Sequence, residues 1–416
     1  MNNQIENQWF DSFIPRMKEV AAYIFDHPEL PYQEHQSSRY LAGFLKEQGF
    51  DVSFHTAGID TAFTASFGTG SPVLGFLAEY DALPSLGHGC GHNLLGTGAA
   101  AAACALKAYM EASHTEGTIL VFGCPAEENM SGKIKMNEAH VFDQLDAAVT
   151  WHPFDRNRIS NDIWLAQDIK NYHFYGVSSH AAKTPELGRS ALDAAELMNV
   201  GVNYLREHVA DDVRMHYAYT SADTAANIVP DYVSTNYFIR SAKRARTEDA
   251  SKRVDDCARG AALMTGTRVE IELAASCSEM KVNRELAETF YHAMEQIPVP
   301  QYTDEELSFA RQLSEEAGFN NNGKLFTGLE PLEPEPVILS IGTDVSDVSH
   351  RIPTVTVSAA CMCRGTPLHH WAAAKQAGMS IGEKGMIYAA RCMALGAKYL
   401  LTDPSHLKRA WEEHHS

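Results

Sequence analysis

The chain has 416 residues, 45% of them hydrophobic and 21% charged, and carries a formal net charge of -19. That length exceeds what a single core ordinarily fills, so two domains are expected, and no tract is polar enough for extended disorder. The acidic balance excludes a polyanion-binding surface, which needs clustered Lys and Arg, so nucleic acid is not an expected partner.

The first residues, Met1-Asn-Asn-Gln-Ile-Glu-Asn-Gln8, have neither the basic start nor the apolar run of a secretion signal. Apolar residues recur at helical spacing over 8–26 and 36–48, and Val73-Leu-Gly-Phe-Leu-Ala78 reads as a short buried strand. The Gly-rich segment 87–98 leads into a helix of small residues. Residues 94–106, the most apolar stretch, are too few to span a bilayer, so no membrane is expected and the location is expected to be cytoplasmic. Strands follow at 118–123 and 147–151. Strands alternating with helices predict an α/β layer with a mostly parallel sheet, in which functional groups gather at the carboxyl ends of the strands.

From about residue 168 the pattern becomes strand (168–176), helix (189–208), strand (214–220), strand (231–240), helix (245–264) and strand (268–275). This is the order of the ferredoxin-like split βαβ unit, large enough to stand as an insert. The expected organisation is a catalytic domain in two parts, 1–167 and 284–416, around an inserted domain at 168–283. Residues 299–336, rich in Pro, Glu, Asn and Gly, read as a long excursion, and an Ala-rich helix lies near 380–400.

Four segments offer chemistry. Gly87-His-Gly-Cys-Gly-His92 combines two good borderline-soft ligands with glycines that let the backbone approach an ion. In Pro125-Ala-Glu-Glu128, after an apolar strand, one carboxylate can bind metal while its neighbour faces a water. Trp151-His-Pro153 and Thr366-Pro-Leu-His-His370 add imidazoles. Any one of these is a weak signal; four together point to a metal site. The eight cysteines have no scaffold spacing and are expected to be reduced, buried and apolar in character, with Cys90 the exception.

These motifs, with Ala78-Glu-Tyr-Asp-Ala-Leu-Pro84, Ser179-His-Ala-Ala182 and Ala226-Asn-Ile-Val-Pro230, fall in the order seen in the aminoacylase and carboxypeptidase G-like metallopeptidases. The chain resembles the amidohydrolase branch of that family over nearly its whole length. The resemblance implies a di-metal aminopeptidase-like catalytic domain with an inserted ferredoxin-like lid and dimerisation domain, hence a homodimer. It implies two divalent ions per subunit (Zn²⁺ or Mn²⁺, with Co²⁺ or Ni²⁺ also compatible). Cys90 would bridge them as a thiolate, and His92, Glu128, His152 and His369 would complete the ligand sets. Glu127 would be the general base, and Asp81 would orient a ligand imidazole.

The activity implied is hydrolysis of the amide bond in a small acyl-amino acid or dipeptide with a free carboxylate on the leaving side, of the aminobenzoyl-glutamate or β-alanyl-lysine kind. Asn227 and Arg240 match positions that hold the substrate's carboxylate, a role suited to the planar guanidinium. Where many relatives have His-Gly-Gly, this chain has Thr220-Ser-Ala-Asp-Thr224, so His216 or His180 would have to take the place of the oxyanion histidine. Asn93 likewise stands where Asp commonly follows the ligand His. Two other readings use the same residues: a thiol hydrolase with Cys90 activated by His92, and a non-catalytic metal-binding partner subunit.

Overall fold

The computed structural model describes residues 4–223 and 225–416. The first three positions of the N-terminal segment and Thr224 lie outside the described residues. The chain falls into two compact units: one takes residues up to Asp162 with Lys281–Val337 and Asp347–Ser416, the other Ile163–Met280 with Ile338–Ser346.

The first unit is organised on a seven-stranded sheet. Its strands are β1 (Asp51–Phe54), β2 (Phe63–Thr69), β3 (Val73–Glu79), β4 (Gly117–Cys124), β5 (Ala147–Phe154), β6 (Arg158–Ile159) and the returning strand Thr354–Ala360. In space the order is β1, β2, β4, β3, β5, the returning strand and β6. The four central strands run parallel, β2 and β6 run opposite to them at the flanks, and β1 pairs antiparallel with β2. The centre reads as near-continuous apolar runs because helices cover both faces. β1 and β2 were not expected: Asp51-Val-Ser-Phe54 and Phe63-Thr-Ala-Ser-Phe67 are short and half polar, as flanking strands can be.

After helices α1 (Gln4–Asp26) and α2 (His35–Glu47), the small-residue helix α3 (His92–Ser113) begins inside the Gly-rich segment rather than after it. Its glycines permit close packing: a Cβ on Gly96 would stand 2.4 Å from the Glu79 carbonyl oxygen, so the helix seats directly on the end of β3. The Trp151 indole of β5 donates to the Leu95 carbonyl at 2.8 Å and ties the same helix to the next strand.

In the second unit the sheet order is Arg268–Cys277, Ala166–Tyr175, Tyr232–Ser241, Arg214–Ser221, with every neighbouring pair antiparallel. Helices Ala191–Leu205 and Arg244–Thr265 bury Ala194, Met198, Val254 and Ala258 in one cluster with Tyr172, Phe174, Val233 and Ile239. This is the strand order of a split βαβ unit.

The 299–336 segment departs from expectation. Asp304–Glu316 is a helix, opened by a capping box in which Thr303 and Glu306 satisfy each other's backbone N–H groups. The Thr-x-x-Glu signature was in the sequence, outweighed by the surrounding Pro and Gly. Among the described residues no helix is long and apolar enough to cross a membrane.

Candidate metal centre

The candidate residues of the first unit meet at the carboxyl ends of its parallel strands. β3 ends at Glu79 and is followed by Asp81; β4 is followed by Glu127 and Glu128; His152 lies within β5, not after it. Cys90 and His92 flank Gly91, whose φ of 75° starts α3 in a conformation that favours glycine. A Cβ there would also come within 3.1 Å of the Pro153 ring.

Two groups of donor atoms share one thiol. Cys90, His92 and His152 form one, and Cys90, Glu128 and His369 the other, with all donor atoms in each within 4.8 Å of one another. His369 Nε2 lies 3.1 Å from the Cys90 sulfur and 3.3 Å from Glu128 Oε2. His369 sits at a positive φ of 58° and its N–H donates to the Gly89 carbonyl, which joins the late loop to the Cys90 segment. His370 is engaged elsewhere, its Nδ1 accepting the Ala372 N–H and so capping the helix Trp371–Ala377.

Asp81 joins two of these segments. Its Oδ1 lies 2.9 Å from Nδ1 of His92, and its Oδ2 accepts the Glu128 backbone N–H at 2.9 Å. With Nδ1 so engaged, Nε2 is the nitrogen left to ligate. Asp81→Asn, which puts a donor where one of these acceptors stands, is expected to weaken metal affinity about 10–100-fold without unfolding the chain. Titration calorimetry with Mn²⁺ checks this, and an unchanged affinity would refute it.

The Glu127–Glu128 turn is held from below. Ala126 has a φ of 58°, uncommon for a residue with a Cβ, and its N–H donates to Oε1 of the fully buried Glu34 at 2.8 Å. Burial and the nearby Asp81 charge push the Glu34 carboxyl up to about 7.

The electrostatics suit a cation. Fully buried His92 leaves Nε2 without a hydrogen-bond partner, and Glu128 leaves Oε1 so. Orphaned buried polar atoms at one point are what a metal would satisfy. Burial works against a charged His92, but the Asp81 carboxylate prevails and raises its pKa well above the ordinary value. Burial and the proximity of His92 lower His152 to about 4, so it is neutral, as a ligand must be. Burial opposes ionisation of Glu128, yet the His369 and His92 contacts bring its pKa down to about 2. Burial and the Glu128 carboxylate push the Cys90 thiol well up, which is adverse to a free nucleophile.

Two residues were missed in the sequence. Glu79 Oε2 stands 3.5 Å from His92 Nε2, and its Oε1 is 2.8 Å from Nζ of the fully buried Lys133. Glu79, His92 and Glu127 form a third close donor group. Asn93 is structural: its amide donates to the Ala21 and Ala377 carbonyls.

The remaining candidates lie in the second unit. His180 Nδ1 accepts the Ala182 and Lys183 N–H groups, and its bridge to Ile228 sets it beside Asn227. His216 and Arg240 share a sheet face, since Arg214 pairs with Arg240 and His216 with Phe238. Arg240 packs on the Phe238 ring, its Nε is buried without a hydrogen-bond partner, and no carboxylate forms an ion pair with it among the described residues. Burial lowers its pKa.

Comparison with known proteins gives one family, Peptidase family M20/M25/M40, whose model matches residues 75–372. A p-aminobenzoyl-glutamate hydrolase subunit of Escherichia coli (strain K12) is 38% identical, with 96% of this chain and 92% of that protein covered. The Xaa-Arg dipeptidase of Mus musculus is 35% identical over 64% of each chain. Among solved structures, an aminobenzoyl-glutamate utilization protein from Klebsiella pneumoniae superposes with a TM-score of 0.69 at 18% identity, covering 96% of this chain and 98% of that one.

Proposed function

The chain belongs to peptidase family M20/M25/M40 and is a metal-dependent hydrolase of amide bonds in small substrates, and from that premise we propose its substrate and the roles of its residues. The substrate is an acyl-amino acid or dipeptide with a free carboxylate on the leaving side, of the aminobenzoyl-glutamate or β-alanyl-lysine kind. The observation that carries the site assignment is the pair of donor groups sharing Cys90, with unpartnered His92 Nε2 and Glu128 Oε1 among them.

Cys90, His92, Glu128, His152 and His369 would hold two divalent ions, Zn²⁺ or Mn²⁺, with Co²⁺ and Ni²⁺ also suited to this N, O and S donor set. Such ions would supply Lewis acidity and bring the pKa of a bound water down to about 7. Glu127 takes the proton of the attacking water and returns it to the departing nitrogen, and Asp81 fixes the His92 ring.

The second unit is the lid and dimerisation domain. Arg240 and Asn227 take the carboxylate, because a half-buried guanidinium without an acidic partner among the described residues is ready to pair with one. His216 or His180 steadies the oxyanion. Self-association uses the edge strand Arg214–Ser221, which exposes Tyr217 and Tyr219. The eight free cysteines fit a reducing cytoplasm.

Stripping the protein with chelator and restoring Mn²⁺, Zn²⁺ or Co²⁺ against a panel of acyl-amino acids and dipeptides tests the reading. Loss and rescue of turnover are expected. Turnover that survives the chelator but not thiol alkylation would shift the chemistry to Cys90, and no turnover with any metal would leave a non-catalytic subunit.

A further inference from the structure

We propose that Glu79 is a further metal-holding carboxylate on the His92 side of the centre, fixed there by Lys133. The inference rests on the metal-centre reading above.

Glu79 closes an otherwise apolar strand, and its side chain is 2% exposed. A carboxylate so placed needs partners. One oxygen, Oε1, has Lys133 Nζ at 2.8 Å, and Lys133 is itself fully buried. The other, Oε2, faces His92 Nε2 at 3.5 Å, the ring nitrogen that has no hydrogen-bond partner because Asp81 occupies the opposite side.

Two N or O donors on one ion, each bonded at about 2.0–2.2 Å, stand about 3.0–3.5 Å apart across the coordination sphere. The Glu79–His92 separation meets that spacing. The other two carboxylates facing the same nitrogen are farther, Glu127 at 3.9 Å and Glu128 at 4.0 Å.

Charge points the same way. On the His369 side a divalent ion meets the Cys90 sulfur and the Glu128 carboxylate. On the His92 side the shared sulfur is joined by two imidazoles, neutral when they ligate, so the Cys90, His92 and His152 group carries less negative charge. Glu79 meets that group at His92, with which it and Glu127 form a close donor group, and there it adds negative charge while leaving Glu127 for proton transfer. Lys133 confines Glu79 to one free oxygen, so the carboxylate binds through Oε2 and keeps its place before the metal arrives.

Glu79→Gln alone takes from the buried Lys133 the carboxylate at 2.8 Å, so the test pairs it with the double variant Glu79→Gln/Lys133→Met, which removes both charges at nearly constant volume. Metal content per chain after equilibration with Mn²⁺ or Zn²⁺, affinity by competition with a chromophoric chelator, and thermal unfolding in excess chelator are measured. In both variants one of the two equivalents is expected to bind at least about 10-fold more weakly. The double variant should unfold in chelator near the wild-type temperature. A double variant that holds both equivalents at wild-type affinity makes the pair purely structural and overturns the proposal, while chelator-sensitive hydrolysis, and so the proposed function, stands. A wild-type chain that binds no metal overturns both.

Discussion

Glu127→Gln is expected to lower kcat by about 10²–10⁴-fold, the usual contribution of a positioned acid–base group, while metal content stays at the wild-type level. Glu127 is 6% exposed and its Oε2 lies 3.9 Å from His92 Nε2, at the margin of the donor cluster. The amide of Gln keeps the size and can still hydrogen-bond, but it cannot accept a proton. KM is expected to change little, since no substrate carboxylate or metal is assigned to this side chain. Steady-state kinetics beside elemental analysis checks both halves. Hydrolysis at the wild-type rate would remove Glu127 from the mechanism, and loss of metal would recast it as a ligand.

Cys90→Ala is expected to lose both metal equivalents together, with an affinity drop beyond the roughly 10–100-fold typical of outer contacts and a matching fall in kcat/KM. Cys90 is the residue that the group with His92 and His152 and the group with Glu128 and His369 have in common. His369→Ala, by contrast, touches one of those groups, so it is expected to release one equivalent before the other. Burial and Glu128 keep the free thiol protonated, so a metal ion that takes the thiolate would displace this proton to the buffer, and metal uptake should release protons. Calorimetry in buffers of different ionisation enthalpy reads that release. A Cys90→Ala protein that keeps both metals but does not turn over would instead make the thiol a nucleophile.

Much of the centre was visible in the sequence because each motif is local. Cys90-Gly-His92, Glu127-Glu128, Trp151-His152 and His369 carry donor types after strand or loop signals, and the structure gathers all of them but Glu127 into two groups that share Cys90, with Glu127 in a third beside His92. The alternation of strands and helices, and the change of pattern near residue 168, were legible for the same reason: hydrophobic periodicity is written residue by residue. The flanking strands β1 and β2 were not, since short half-polar segments carry little periodic signal.

Other features depend on distance in three dimensions. Nothing local in the sequence pairs Glu79, at the end of β3, with Lys133 in α4 (Gly132–Glu138), yet the fold buries both and sets Lys133 Nζ 2.8 Å from Glu79 Oε1. Glu34, far from the motifs, proves to hold the Ala126 N–H. The sequence by itself determined which donors were present, the three parallel strands β3, β4 and β5 and the net negative charge. Tertiary structure alone decided the distances that set Cys90 among its two donor groups, that His370 caps a helix, and that Arg240 has no acid to pair with among the described residues. The physical reason is that ligation and ion pairing are set over distances of about 3 Å between atoms remote in the chain, and only packing fixes those distances.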